Sequence, residues 1–216
     1  MDIVFLGHSS FQIKTKNVTL ITDPFDPTMV GFKFPKVGAD IVTISHKHAD
    51  HNQLSLVSGV KKVISGPGEY EIAGVSIIGI ASYHDNEKGA KRGKNTIYVI
   101  EAEDLRIAHL GDLGHTLPEG KLDEIGEIDI LMVPVGGTYT IGPKEAVEVV
   151  QAIEPTLIIP MHHQMAGLNQ KIFSGITGVD EFLSQMALKT EKLNKLKVSK
   201  SVLPDDEQRV VVLAKK

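Results

Sequence analysis

The sequence of 216 residues contains no cysteine. This absence excludes disulfides, thiolate zinc sites and cysteine catalysis, and it fits a protein of the reducing cytosol. The chain also lacks an apolar run of membrane-spanning length, and its first residues carry neither the basic region nor the apolar core of a signal peptide. We therefore predict a cytoplasmic protein that does not enter a membrane.

An excess of charge of one sign is also missing, since 23 lysines and arginines face 27 acidic residues and leave a net charge of −4. This balance gives no general electrostatic attraction to nucleic acid or to a membrane surface. Internal repeats and low-complexity segments are absent as well. We expect one domain over residues 1–216, a small-molecule substrate, and no nucleic-acid or membrane partner. The sequence does not determine the oligomeric state, and a homo-oligomer is one of the alternatives.

The chain does contain a dense cluster of histidines in one short stretch. Residues 46–51 run His-Lys-His-Ala-Asp-His and follow the β-branched run 41–45, which is typical of a buried strand. His46 and His48 stand two apart in an extended segment, so they project to one side and can bind one metal ion. The aspartate and last histidine of the motif can face a second ion after the chain turns. The alternative is a solvated polar loop, but such clusters are typical of metal sites.

Three further polar residues directly follow apolar, strand-like runs, and they are His84, Asp112 and His162. Strands that run in one direction end at one edge of a sheet, so these side chains and the histidine motif should lie together. Gly111 lets the backbone come close and aims the carboxylate of the next residue. His109 competes with His84 for a place in this group, although we favour a buried or supporting role within a strand for it.

The spacing His-x-His-x-Asp-His behind an apolar strand resembles the signature of the metallo-β-lactamase superfamily. Asp23, Asp112 and His162 occur in the order and surroundings that this superfamily uses. Three segments are similar to its small metal-dependent hydrolases of the ascorbate-phosphate lactonase type, namely residues 7–11, 22–25 and 68–72. The resemblance implies an α/β (α+β) fold, a four-layer αββα sandwich in which two mixed sheets are flanked by helices.

The same resemblance implies a role for each residue of the cluster. A first metal ion would be bound by His46, His48 and His84. A second would be bound by Asp50, His51 and His162, and Asp112 would bridge the two. Asp50 would also orient the attacking hydroxide, which makes it the catalytic residue.

Two residues before the motif are candidates for supporting roles. Asp23 follows a strand and could accept a hydrogen bond from a metal-bound histidine, although an aspartate between prolines also suits a turn. His8 lines the mouth of the site if the resemblance of the opening segment holds, or it is an ordinary turn histidine. The sequence leaves both pairs of interpretations open.

The loop over residues 84–95 leaves directly from a proposed ligand and is rich in basic residues. It carries Lys88, Lys91, Arg92 and Lys94 against two acidic residues. Arginine suits paired hydrogen bonds with phosphate or carboxylate, so Arg92 is a candidate for binding an anionic substrate. The two glycines of the loop would let its tip move and close. The alternative is a solvated hairpin tip.

The remaining pattern predicts the order of elements. A strand, a helix begun by Pro143 and a second strand within residues 128–159 predict a parallel crossover. We also predict a short helix within 52–58 and a solvated, lysine-rich surface with a leucine stripe over 189–200. Two similar halves would divide near residue 100.

The leading hypothesis is a dinuclear metal-dependent hydrolase that uses a metal-bridging hydroxide on an ester, lactone or phosphodiester bond of a small, anionic substrate. Its cofactors would be two divalent ions, zinc in the first place, with manganese or iron as alternatives. Diiron oxygen-reducing relatives have glutamate at the position of His48, which argues against redox chemistry. Two alternatives are kept, a short phosphodiesterase or nuclease-like protein and a metal-binding protein without turnover.

Overall fold

The computed structural model describes residues 1–204 and 207–216, which form sixteen strands and four helices. In chain order the strands are β1 (Asp2–Gly7), β2 (Ser10–Lys14), β3 (Thr19–Thr22), β4 (Val37–Gly38), β5 (Ile41–Ile44), β6 (Val57–Ser58), β7 (Lys62–Ser65), β8 (Gly68–Ile72), β9 (Val75–Tyr83), β10 (Lys94–Ala102), β11 (Leu105–His109), β12 (Ile130–Pro134), β13 (Leu157–Met161), β14 (Lys189–Leu193), β15 (Leu196–Lys197) and β16 (Arg209–Leu213). The helices are α1 (Pro27–Val30), α2 (Glu119–Ile125), α3 (Pro143–Ile153) and α4 (Val179–Met186).

Most of the strands form two mixed sheets, which confirms this part of the predicted fold. The first sheet has the order β15-β1-β2-β3-β5-β7 and is antiparallel as far as β3, then parallel. The second has the order β14-β16-β13-β12-β11-β10-β9-β8 and is parallel from β14 to β11, then antiparallel. The predicted crossover is present, because β12 and β13 are parallel neighbours joined through α3.

The main hydrophobic core contains side chains from both sheets. Phe5 and Phe11 of the first sheet belong to the same buried cluster as Tyr98 and Met132 of the second. The Tyr98 hydroxyl donates a hydrogen bond to the carbonyl oxygen of Ile44 at 2.9 Å, so β10 is tied to the end of β5. Since the histidine motif begins two residues after β5, this contact fixes the position of the motif relative to the second sheet.

The outer faces of the two sheets are covered differently. A second apolar cluster packs α2, α3 and α4 against the second sheet, with Val149 and Val150 of α3 fully buried. Over the first sheet, residues such as Val42 are covered by the short parallel pair β4–β6 and its neighbours. Among the described residues, this cluster contains Leu54 of the 3₁₀ turn but no residue of α1–α4. Within the described parts of the chain the longest helix has 11 residues, and no helix is long and apolar enough to cross a membrane.

The lysine-rich segment 189–200 has the predicted form, because its lysines are exposed while the leucines of β14 and β15 pack on the main core.

Two predictions about the order of elements were wrong. Residues 52–58 form a 3₁₀ turn at Leu54–Leu56 and then β6 instead of an α-helix, because Val57 pairs with β4. The chain passes from one sheet to the other at residues 66–67 rather than near residue 100, and β15 then returns to pair with β1.

Candidate metal centre

The predicted site residues lie together where strands of both sheets end. The strands β9, β11 and β13 run in the same direction in the second sheet, so His84, Asp112 and His162 follow their carboxyl ends at one edge. The motif 46–51 follows β5 of the first sheet and faces this edge. These residues were predicted to meet at the edge of one sheet, whereas they come together from two.

Asp112 occupies the centre of the cluster. Its Oδ2 atom lies 3.2 Å from Nε2 of His51, 3.3 Å from Nε2 of His84, 3.4 Å from Nε2 of His162 and 3.8 Å from Nε2 of His46. The Asp112 N–H donates to the side-chain oxygen of Asn95, which fixes the backbone at this point. Asn95 carried no signal in the sequence that pointed to this role.

Gly111 is required beside this aspartate. Its φ is +56°, a left-handed conformation that favours glycine, and an added Cβ would lie 2.4 Å from the side chain of Asn95 and 2.6 Å from Cβ of Ser45. The close approach predicted from the sequence is therefore present. Any side chain at this position would displace Ser45 and the Asn95 oxygen that accepts from the Asp112 N–H.

The possible ligand atoms form three overlapping groups, in each of which all atoms lie within 4.8 Å of one another. One group contains His46, His48 and His84, and the rings of His46 and His48 are 4.7 Å apart. Another contains His8, Asp50, His51 and His162. A third links them and contains His46, His51 and Asp112. All of these residues are buried except His48, which is exposed.

Several buried polar atoms in this cluster have no hydrogen-bond partner among residues 1–204 and 207–216. They are Nε2 of His46 and His51, Nδ1 of His84, both ring nitrogens of His162, and Oδ1 of Asp50 and Asp112. Buried polar atoms are nearly always paired, so a concentration of unpaired ones needs an explanation. Imidazole nitrogens and carboxylate oxygens are ligands for divalent transition metals, and the donor set fits metal ions.

The electrostatics of the cluster also favour cations. Burial lowers the pKa of His8 to about 4 and that of His46 to about 3, so both imidazoles are neutral at pH 7. Burial opposes ionisation of Asp112, but the imidazoles of His162 and His51 outweigh it and hold the pKa of this carboxyl well below its usual value. Neutral imidazoles and ionised carboxylates are the forms that bind metals.

His51 departs from this pattern. Burial alone would lower its pKa, but the carboxylates of Asp112 and Asp50 raise the pKa of this imidazole well above its usual value. Without another cation nearby, His51 is therefore protonated at neutral pH. A metal ion that binds its Nε2 atom must displace this proton.

Asp23 supports two of the histidines at once. Its Oδ2 atom accepts hydrogen bonds from Nδ1 of His51 at 2.9 Å and from the Ser45 hydroxyl at 2.6 Å. Because that hydroxyl donates to Asp23, it accepts from Nδ1 of His46, 2.9 Å away. Both imidazoles thus turn Nε2 towards the centre. Asp23 is fully buried. The role of Ser45 was not predicted from the sequence, where its only signal was a hydroxyl directly before the motif.

His8 lies inside the cluster rather than at its mouth. It is 2% exposed, its Nε2 atom donates to Oδ2 of Asp50 at 3.1 Å, and its ring centroid is 4.2 Å from that of His162. Its backbone has φ +57° in the turn between β1 and β2. His8 can therefore hold Asp50 in place or join its group of ligands.

His109 is close to the cluster but points away from it. Its Nε2 atom donates to the carbonyl oxygen of Ser9 at 2.8 Å, and its Nδ1 atom accepts from the N–H of Gly111 at 3.3 Å. Both ring nitrogens are thus used. The choice of His84 over His109 as a ligand stays a prediction, and the geometry around Asp112 favours it.

Asp85 organises the loop that follows His84. Its carboxylate accepts hydrogen bonds from the backbone N–H groups of Glu87, Gly89, Lys91 and Arg92, at 2.7–2.9 Å. The two glycines predicted a loop whose tip can move, whereas in the structure four backbone N–H groups of the loop are bound to one buried carboxylate. Arg92, at the end of the loop, donates to the carbonyl oxygen of Thr138 at 3.0 Å.

Comparison with known proteins identifies the family. The β-lactamase superfamily domain matches residues 2–162. A UPF0173 metal-dependent hydrolase of Thermococcus onnurineus (strain NA1) is 32% identical over 191 residues, which cover 76% of this chain and 84% of that protein.

Solved structures agree with this match. A Thermotoga maritima protein, presumed to be a zinc-dependent hydrolase of the metallo-β-lactamase superfamily, is 38% identical with a TM-score of 0.79, covering 99% of this chain and 100% of that chain. An isothiocyanate hydrolase from Delia radicum gut bacteria has a TM-score of 0.69 at 12% identity, covering 100% of this chain and 97% of that chain, and shows the fold alone. The predicted fold class is thereby confirmed, and the chain belongs to the metallo-β-lactamase superfamily as a metal-dependent hydrolase.

Proposed function

We propose that this hydrolase is dinuclear and cleaves an ester, lactone or phosphodiester bond of a small-molecule substrate. The observation that carries the proposal is the arrangement around Asp112, whose carboxylate lies between two groups of imidazoles that are buried except for His48 and that include several unpaired nitrogens. One ion would use only one of these groups. The similarity to the small lactonases that the sequence suggested stays a prediction.

Each residue has a proposed role in this arrangement. His46, His48 and His84 hold the first ion, and Asp50, His51 and His162 hold the second. Asp112 spans the two, since its Oδ2 atom faces both groups and its Oδ1 atom is unpaired among the described residues. Zinc is the proposed metal, because histidine and carboxylate ligands suit it and the similar Thermotoga maritima protein is presumed to be zinc-dependent. Manganese and iron use the same ligand types.

When bound, two adjacent divalent ions lower the pKa of a water molecule and polarise the substrate oxygen. The chain's own contribution is to orient the reacting groups. His8 donates to Oδ2 of Asp50, and this leaves Oδ1 of Asp50 buried and free to orient the attacking water and accept its proton. Asp23 and Ser45 keep the imidazoles of His46 and His51 from rotating.

The decisive experiment measures metal content and turnover on the same sample. Protein reconstituted with zinc or manganese should hold about two ions per chain, as dinuclear hydrolases do. It should hydrolyse at least one substrate in a panel of carboxylic esters, lactones and phosphodiesters, lose that activity on chelation, and regain it when metal returns. The Asp112→Asn variant is the matched negative control.

The outcomes separate the alternatives. A failure to bind any metal after reconstitution would exclude the proposed centre. About two bound ions without turnover on the whole panel would favour a metal-binding protein that does not catalyse hydrolysis. Turnover with only one bound ion would keep the hydrolase and reject the dinuclear arrangement.

A further inference from the structure

We propose that a cavity beside His46 and His48 binds an anionic group of the substrate, a phosphate or carboxylate that is separate from the cleaved bond. The inference rests on the hydrolase function proposed above and names its substrate class. The expected substrate is a small molecule with a reactive ester, lactone or phosphodiester bond at one end and a fixed negative charge at the other.

The cavity has a volume of about 370 Å³ and lies directly against the metal centre. Its walls are the histidine motif, the turn at Gly66 and Pro67 that joins the two sheets, and the end of the loop that Asp85 organises. His46 and His48 form part of the wall, so a molecule in this space reaches the first group of proposed ligands. Small-molecule sites have volumes of this order.

The charges that line the cavity are all positive. Lys47, Arg92 and Lys94 line it, and no aspartate or glutamate does. Among residues 1–204 and 207–216, none of these three cations forms an ion pair, so their charges are not neutralised by a neighbouring carboxylate. In a chain with a net charge of −4, three unpaired cations around one cavity create a local site for an anion.

The structure changes the earlier expectation about the basic loop. Lys91 pairs with Glu87, and Lys88 does not line the cavity, so half of the loop's cations face elsewhere. Lys47, which comes from the histidine motif, completes the set instead. The anion site is thus a cavity wall shared by two loops, and a moving loop tip is not needed.

Arg92 is held at both ends. Its backbone N–H donates to the Asp85 carboxylate at 2.7 Å, and its guanidinium donates to the carbonyl oxygen of Thr138 at 3.0 Å. The guanidinium carbon also lies 5.5 Å from the ring centroid of Tyr139, within the range of cation–π attraction. A guanidinium has five N–H donors, so others remain for a ligand. A side chain ordered in advance loses less entropy when an anion binds.

A small anion fits these observations better than a nucleic acid. Nucleic acids bind along extended basic surfaces, where many phosphates contact many cations. Here three cations surround one cavity, and the chain as a whole is acidic. One arginine and two lysines around one cavity are residue types that bind a single phosphate or carboxylate.

The test compares two esters that differ in one charge. Mono-4-nitrophenyl succinate carries a free carboxylate, and its methyl ester has the same leaving group without that charge. In metal-loaded Arg92→Gln, kcat/KM for the anionic ester should fall about tenfold through KM, as expected for loss of a charge-assisted contact. The neutral ester should be unaffected. Lys47→Gln and Lys94→Gln should act in the same direction.

Lys88→Gln is the matched control, since it removes one positive charge from the same loop without touching the cavity wall. It should behave as the unmodified protein with both esters. Calorimetric titration of inorganic phosphate into the metal-loaded proteins gives a second measurement. Arg92→Gln should bind phosphate about tenfold more weakly, and Lys88→Gln should not, while metal content stays equal in all samples.

The two proposals fail in different ways. If neither ester is hydrolysed by protein with full metal content, the result counts against the proposed ester hydrolysis. The phosphate titration then still tests whether the cavity binds an anion. Equal losses on both esters, or unchanged kinetics together with unchanged phosphate binding, would overturn the anion site. A short RNA that binds more weakly to the three cavity variants, with phosphate binding unchanged, would also overturn it and indicate a nucleic-acid surface.

Discussion

The carboxylate of Asp23 accepts a hydrogen bond from Nδ1 of His51 at 2.9 Å, although the two residues are 28 positions apart in the chain. Both side chains are fully buried. The same carboxylate binds Ser45, which in turn accepts from His46. One residue outside the histidine motif therefore sets the direction of two imidazoles inside it.

This contact predicts the effect of Asp23→Asn. The amide keeps the shape but has one acceptor oxygen in place of two, so His51 and His46 lose their fixed orientation. Metal affinity should fall about 10- to 100-fold, the usual cost of removing a carboxylate that orients a ligand histidine. Competition with a chelator of known affinity measures it. Asp40→Asn, which removes a surface carboxylate paired with Lys61, is the control and should leave metal affinity unchanged. Equal affinity in Asp23→Asn and Asp40→Asn would contradict this role.

The central position of Asp112 predicts unequal effects within the cluster. Asp112→Asn should weaken the binding of both ions, because one carboxylate faces both groups of ligands. Metal content should fall below about one ion per chain. His84→Ala removes a ligand from one group only and should retain about one ion. Elemental analysis after dialysis distinguishes the two. If the variants retain the same amount of metal, Asp112 does not bridge.

His109 should behave differently from His84. Its two nitrogens bind the backbone at Ser9 and Gly111, so His109→Ala leaves buried groups unpaired and opens a cavity. The free energy of unfolding should fall by about 2–4 kcal/mol, while metal content stays normal. Urea unfolding of the metal-free protein and elemental analysis of the loaded protein measure the two effects. Loss of metal in His109→Ala, with His84→Ala unaffected, would transfer the ligand role to His109.

Metal binding should strengthen as the pH rises. The pKa of His51 is raised well above its usual value of 6.5 by Asp112 and Asp50, so the metal-free protein carries a proton there that the ion must displace. A lower pH favours the protonated imidazole and weakens metal binding. The increase in metal affinity with pH ends once the pH exceeds the raised pKa of His51. Zinc titrations between about pH 6 and 9, in two buffers with different ionisation enthalpies, measure affinity and released protons. A pH-independent affinity without proton release would contradict the prediction.

Two other buried histidines contribute to the acid stability of the metal-free protein. His8 and His46 have folded pKa values of about 4 and about 3, below the 6.5 of an unfolded histidine. The unfolded chain therefore binds more protons between these values, so the stability contributed by these two histidines is complete above pH 6.5 and is lost as the pH falls towards their folded pKa values. Urea unfolding across this range should give a midpoint that decreases with falling pH. In His8→Asn, which lacks one of these groups, the decrease should be shallower; an unchanged slope would exclude His8 as a contributor.

The local part of the site was predictable from the sequence, because strand and motif are neighbours along the chain. A β-branched run followed by His-x-His-x-Asp-His predicts a buried strand with ligands at its end, and the run became β5. The positions of His84, Asp112 and His162 after apolar runs predicted one shared edge by the same argument. The prediction of two mixed sheets rested on the resemblance of these residues to the signature of the metallo-β-lactamase superfamily.

Tertiary structure alone decided the contacts between distant segments. His8 lies against Asp50 across 42 positions, and His109 is turned towards Ser9 across 100. Lys47 and Arg92 share a cavity because the end of the first sheet meets the loop after β9. A side-chain pattern specifies which face of its own strand is buried, but it does not specify which distant loop will pack against that strand's end. That choice depends on the packing of two sheets over one core, a property of the whole chain.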